Sequence, residues 1–227
     1  MNSIVTQTNQ PENNTMALQP KSESEGICMT EEEYLASEPY SEVRREYIDG
    51  RTYAMDGSKR NHNILSGNIS REFGNHLKGS PCAIFSADIK VALGKNYVYP
   101  DVIVDCANAE GDGYFAISPV IIVEVLSKST KKMDTTTKLI HYINLPTLKE
   151  YVLVEQNSVC VQVLRKRNYW QSEYFYLGDN VTFESIGLTL TVEEIYDRVD
   201  NDDMNEPGGR MLKLFHARSL TRPCMAM

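Results

Sequence analysis

The sequence predicts a mixed α/β domain in which helices flank one central β-sheet, and three stretches carry that reading. Asp49-Gly50 lies between the β-formers Arg45-Glu46-Tyr47-Ile48 and Arg51-Thr52-Tyr53-Ala54. This is a strong hairpin signal, because the tight turn needs positive φ at both central positions. Between Ser58 and Lys78 the apolar residues Leu65, Ile69, Phe73 and Leu77 recur every four positions, the period of an amphipathic helix. The run Val120-Ile121-Ile122-Val123-Glu124-Val125-Leu126 is aliphatic on both faces but for one residue, as a strand in the middle of a sheet should be.

The other elements fall around these. Residues 1–28 are expected to form a disordered leader, since residues 1–26 are rich in Asn, Gln, Thr, Ser, Pro and Glu and have no hydrophobic period. The folded domain, 29–199, opens at Met29, where Thr30-Glu31-Glu32-Glu33 fits a capping box before a short helix. Cys82 to Leu93 and Tyr97 to Cys106 read as strands joined by a Gly94-Lys95-Asn96 turn. After the aliphatic run a helix is expected from about Asp134 to Asn144, closed by Leu145-Pro146. Alternating segments within 150–176 give further strands, with Arg165-Lys166-Arg167 as a solvent-exposed hairpin tip. A last helix starts at Thr191 in the box Thr191-x-x-Glu194 and stops near Val199, leaving 200–227 as an irregular acidic tail.

Composition narrows the function classes. The chain has 227 residues, 41% hydrophobic and 24% charged, enough for one well-buried soluble domain. No window approaches ~18 uninterrupted apolar residues, which argues against a membrane span, and no basic start leads into an apolar stretch, so the cytoplasm is the default location. The net charge of −8 speaks against nucleic acid until its distribution is read: residues 58–170 carry 14 Lys and Arg against 10 Asp and Glu. A mildly basic centre between acidic ends is compatible with a nucleic-acid groove. The five cysteines, Cys28, Cys82, Cys106, Cys160 and Cys224, form no CxxC pair. Their odd number fits a disulfide framework poorly, and Cys82, Cys106 and Cys160 are expected as small hydrophobes.

Glu124 is the anomaly. An ionised carboxylate among aliphatic residues costs several kcal/mol unless it is paired or bound to metal. Asp101 lies 23 residues earlier, after Pro100 and at the head of Val102-Ile103-Val104. Neighbouring strands would bring these two carboxylates together, where they repel unless a hard cation such as Mg²⁺ or Mn²⁺ sits between them. Such a cation activates water and polarises phosphoryl oxygens. Read singly, Asp101 is as well explained as a strand-initial turn residue, and Glu124 as the partner of a buried Lys or Arg.

Taken together, Tyr99-Pro100-Asp101-Val102-Ile103-Val104, Val123-Glu124-Val125-Leu126-Ser127-Lys128-Ser129-Thr130, then Asp134, Lys138, Tyr142, Leu145-Pro146 and Glu150-Tyr151-Val152-Leu153-Val154 closely resemble the Uma family of restriction-endonuclease-like proteins. Upstream, Glu46-Tyr47-Ile48-Asp49-Gly50, Met55 and His62 match the family's opening. The resemblance covers roughly residues 29–199. It implies a PD-(D/E)XK nuclease fold, with a restriction-endonuclease-like core, a central mixed sheet flanked by helices and an N-terminal hairpin. It also implies a bacterial origin and metal-dependent cleavage of nucleic acid.

The usual superfamily lysine follows the Glu by two residues, where this chain has Leu126; the Uma pattern offers Lys138 instead. Without the resemblance, Lys138 reads as an i,i+4 partner of Asp134. Glu46 is a third metal carboxylate by resemblance, or else a solvated hairpin charge beside Arg44 and Arg45. His62 is a minor candidate on the helix stripe, and Lys128, Lys131 and Lys132 form either a phosphate contact or a solvated loop.

Two functions follow. The first is a Mg²⁺-dependent (or Mn²⁺-dependent) endonuclease acting on DNA, with Asp101, Glu124 and Lys138 as catalytic residues and Glu46, Asp101 and Glu124 around the metal. The second is a nuclease-fold module that binds nucleic acid or protein without turnover, which Leu126 and the acidic net charge favour. A homodimer is compatible with exposed hairpins. A small-molecule enzyme finds no phosphate-binding Gly-rich loop to support it.

Overall fold

Asp49 (φ 49°) and Gly50 (φ 77°) both adopt the left-handed conformation that the hairpin turn requires. The computed structural model describes residues 26–55, 57–106 and 113–205. Most of the expected leader, the loop 107–112 and the tail from 206 onward lie outside these residues.

The hairpin strands β2 (Arg45–Ile48) and β3 (Arg51–Ala54) pair antiparallel. Beside them lie β1 (Ile27–Cys28), β5 (Lys90–Leu93), β6 (Asn96–Val98) and β8 (Phe115–Ala116). Together they form a six-stranded sheet of order β1-β3-β2-β6-β5-β8. Helix α1 (Glu31–Ser37) enters through the expected capping box, with both hydrogen bonds of the Thr30–Glu33 exchange present.

A second six-stranded sheet is the central one. It comprises β4 (Ala83–Ser86), β7 (Val102–Asp105), β9 (Pro119–Leu126), β10 (Glu150–Glu155), β11 (Val161–Arg165) and β12 (Ser172–Phe175), in the order β12-β11-β10-β9-β7-β4. It is mixed: β9 and β10 run parallel and the other neighbours antiparallel. The two strands expected over Cys82–Leu93 and Tyr97–Cys106 are thus each divided between sheets. The break falls at Ala87 (φ 48°) on one side and Tyr99-Pro100 on the other, where proline supplies no N–H to a ladder. The long hairpin bends at this corner and slips by one residue: β5–β6 pairs Val91 with Val98, whereas β4–β7 pairs Ser86 with Val102.

Helix α2 (Arg60–His76) lays Leu65, Ile69 and Phe73, all fully buried, on one face of the central sheet. The opposite face, with Ile103, Ile122, Leu126 and Leu153, packs against Ile48, Val91 and Val98 of the first sheet. The single helix expected after β9 is two, α3 (Lys131–Thr135) and α4 (Thr137–Ile143), separated at Thr136 (φ −126°, ψ −84°). A small hairpin that no sequence signal announced, β13 (Asn180–Phe183) with β14 (Leu188–Thr191), closes the α2 side. Helix α5 (Val192–Ile195) follows through the expected Thr191–Glu194 box. Order continues past Val199 into α6 (Asp202–Asn205), where Asp203 accepts the Val159 N–H. No described helix is long and apolar enough to cross a membrane.

Two expectations are overturned. Cys82 and Cys106 are joined by a disulfide; they flank the ends of β4 and β7, where Ala83 pairs with Asp105, so the ladder itself brings them face to face. Arg165 is not at a solvated tip: it is 2% exposed, bonded to Glu150, Glu173 at 2.5 Å and the Thr182 carbonyl at 2.7 Å. This ion pair ties the central sheet to the small hairpin.

Candidate active site

Glu124 and Asp101 project from the face of the central sheet that meets the first sheet, on the alternation set by Ile103, Ile122 and Leu126. Val102 pairs with Val123, so one further step along this antiparallel ladder sets Asp101 opposite Glu124. Asp101 sits at the corner of the bent hairpin, free of ladder bonding, and its Oδ2 turns to accept the Val125 N–H at 2.7 Å. His62 of α2 brings Nε2 to 3.2 Å from the same oxygen. The helix stripe therefore carries His62 to the site rather than into the core, and its Nδ1 is buried without a partner.

Lys138 of α4 is 4% exposed and points inward. Its Nζ lies 2.8 Å from Glu46 Oε1, 3.1 Å from Asp134 Oδ1 and 3.3 Å from Glu124 Oε1. The i,i+4 pairing with Asp134 and the approach to Glu124 thus both hold. Asp134 is a member of the cluster that residue-by-residue reading left outside it, although its four-residue spacing from Lys138 was the signal. Glu46 also accepts the Tyr99 N–H at 3.1 Å, a bond that fixes β2 against the corner carrying Asp101. Tyr142, one turn after Lys138, donates its hydroxyl to Glu124 Oε1 at 2.8 Å.

The electrostatics are those of a buried acidic cluster with one lysine in it. Burial raises the pKa of Glu124 well above the ordinary carboxylate value; Lys138 pulls it down, and Asp134, Asp101 and Glu46 push it further up. Glu46 is raised for the same first reason, with Lys138 again opposing. Burial alone would lower Lys138, but Asp134, Glu124 and Glu46 outweigh it and hold the ammonium well above its usual value.

The donor set suits a hard divalent cation. Glu124 Oε1 is taken by Tyr142 and Lys138, and Asp101 Oδ2 by the Val125 N–H. No hydrogen bond among the described residues engages Glu124 Oε2 or Asp101 Oδ1. Among the described residues no three His, Cys, Asp or Glu side chains group closely enough to enclose an ion by themselves.

A family model described as "Uma2: Putative restriction endonuclease" matches residues 31–193. The chain belongs to the Uma2 family. Every residue of the cluster, from Glu46 to Tyr142, falls within the matched Uma2 region. The chain is 36% identical over 173 residues to an uncharacterized protein of Synechocystis, slr1290, covering 74% of this chain and 91% of that protein. A second Synechocystis protein, the uncharacterized sll1609, is 30% identical over 164 residues, covering 69% and 92%. Among solved structures, a crystal structure described as "a putative nuclease belonging to DUF820" from Anabaena variabilis superposes with a TM-score of 0.64 at 20% identity. It covers 74% of this chain and 97% of that one. At that identity the likeness establishes the fold, a mixed α/β architecture built on two large sheets.

The usual lysine position of the central strand is filled by Leu126, 3% exposed and packed in the core. In the basic loop after β9, Lys131 is paired with Glu155, whereas Lys128 and Lys132 are exposed.

Proposed function

We propose that this Uma2 protein is a metal-dependent endonuclease that hydrolyses phosphodiester bonds in DNA. Asp101 and Glu124 hold Mg²⁺ (or Mn²⁺), and Lys138 acts beside them. The observation that carries the reading is the pairing of two carboxylates, each with one oxygen anchored by the protein and the other without a hydrogen bond among the described residues, next to a buried lysine. A divalent cation bound there supplies Lewis acidity toward a phosphoryl oxygen and acidifies a water.

The chain's own residues do the rest. The Lys138 ammonium, held in position by Glu46 and Asp134, stabilises charge developing on phosphoryl oxygens, a contribution made mainly in the transition state. The resemblance assigns Glu46 to the metal. Its Oε1 is engaged by Lys138 and the Tyr99 N–H, so in this proposal it acts first as the lysine's anchor. Exposed Lys128 and Lys132 beyond the strand end suit phosphates flanking the cleaved one.

One observation favours the second reading, a fold that binds nucleic acid without turnover: Lys138 is already surrounded by three carboxylates. Calorimetric titration with Mn²⁺, followed by incubation with single- and double-stranded DNA, separates the two. The endonuclease cleaves only with metal, stops in Asp101→Asn and Glu124→Gln, and loses ~100-fold or more of its rate in Lys138→Ala with metal affinity largely kept. Metal binding and DNA retention without cleavage would leave the binding module. A Lys138→Ala protein that cuts at the wild-type rate would remove the lysine from the mechanism.

A further inference from the structure

Tyr142 touches the candidate site from behind. It is fully buried in α4, and its ring packs on that of Tyr151 with centroids 4.9 Å apart. Its hydroxyl donates to Glu124 Oε1 at 2.8 Å. The Glu124 carboxylate stands on a long side chain, and its terminal torsion is intrinsically soft. Something must decide which oxygen turns toward Asp101. Lys138 decides it poorly, because its ammonium is shared among three acids. The hydrogen bond that the Tyr142 hydroxyl donates goes to Glu124 alone.

We propose that Tyr142 is a positioning residue for the Asp101–Glu124 pair, its hydroxyl holding Oε1 of Glu124 so that Oε2 is the oxygen presented to a cation shared with Asp101. The inference rests on the metal reading above and adds to it a residue that reaches neither metal nor substrate. Partners of this kind commonly set affinity: their loss weakens metal binding by about 10–100-fold.

Tyr151 provides the control. Its hydroxyl belongs to the same buried ring pair but donates to the Asp134 backbone carbonyl at 3.0 Å instead of to a carboxylate. Loss of a buried hydroxyl from the ring pair is common to Tyr142→Phe and Tyr151→Phe; release of Glu124 belongs to the first alone.

The experiment is a Mn²⁺ titration of the full chain, read by electron paramagnetic resonance, on wild type, Tyr142→Phe and Tyr151→Phe, with urea unfolding confirming that each is folded. The expected result is Mn²⁺ affinity reduced ~10-fold or more in Tyr142→Phe and close to wild type in Tyr151→Phe. Equal weakening in both variants would mean a structural role only and overturn the inference. Unchanged affinity in Tyr142→Phe would overturn it while leaving the metal site intact. Wild-type protein that binds no Mn²⁺ would remove the metal reading and the positioning role together.

Discussion

Replacing Lys138 by Met keeps the length and most of the volume of the side chain and deletes only its charge. The ammonium is 4% exposed, with three carboxylates within 3.3 Å, so water screens little of the interaction. Removing one partner of a buried ion pair costs about 3–5 kcal/mol, because the other charge is left uncompensated. The remaining acids escape part of that cost by taking up protons. Glu46 and Glu124 are already pushed up by burial, and Lys138 is what holds them down most. In Lys138→Met their folded-state pKa values therefore rise further. The folded form then binds more protons than the unfolded one, so stability falls as pH rises from the unfolded carboxylate value, about 4.3, through the folded value. The loss is small near pH 4.5 and grows above it. Urea unfolding of wild type and Lys138→Met at pH 5 and pH 8 measures this directly. The expected deficit is about 3 kcal/mol or more at pH 8, shrinking toward pH 5. A deficit under ~1 kcal/mol at pH 8, typical of an exposed pair, or one independent of pH, would show that the cluster is hydrated and refute the reasoning.

Divalent cations should raise the melting temperature of the wild type more at pH 8 than at pH 5, since protons compete for Glu124, and Asp101→Asn should abolish the difference; equal shifts at both pH values would contradict a carboxylate metal site. The Cys82–Cys106 disulfide spans 24 residues of sequence, for which loop-closure entropy gives about 3 kcal/mol. Cys82→Ser/Cys106→Ser should accordingly melt several degrees lower than the oxidised protein, and identical melting curves would show that the crosslink adds nothing.

The parts of this fold legible in the sequence were those decided locally. Asp49-Gly50 dictated its own turn, the Thr30 and Thr191 boxes their helix starts, and the aliphatic run its place in the middle of a sheet. Glu124 stood out because its environment was apolar within its own segment. What stayed hidden depends on register between distant segments. Cys82 and Cys106 read as small hydrophobes until β4 and β7 are paired in one particular alignment. Arg165 lay in a basic triplet typical of solvent, and only Glu150, Glu173 and the small hairpin beyond it explain its burial. The division of two long strands between two sheets turns on a positive φ at Ala87, a residue that seldom signals it. Lys138 was visible through its family pattern, but its grip on Glu46 required the first sheet to close over the second.

Because the hairpin bends at its corner, Asp101 is carried to a face that segments both before and after it in the chain complete. β9 supplies Glu124, α4 supplies Lys138 and Tyr142, and β10 pairs with β9 along its length to seat it in the sheet. Glu46 and His62 precede Asp101 in the chain, whereas Lys138 and Tyr142 follow Glu124. The cluster therefore draws on segments from β2 to α4, and no single one of them carries it alone.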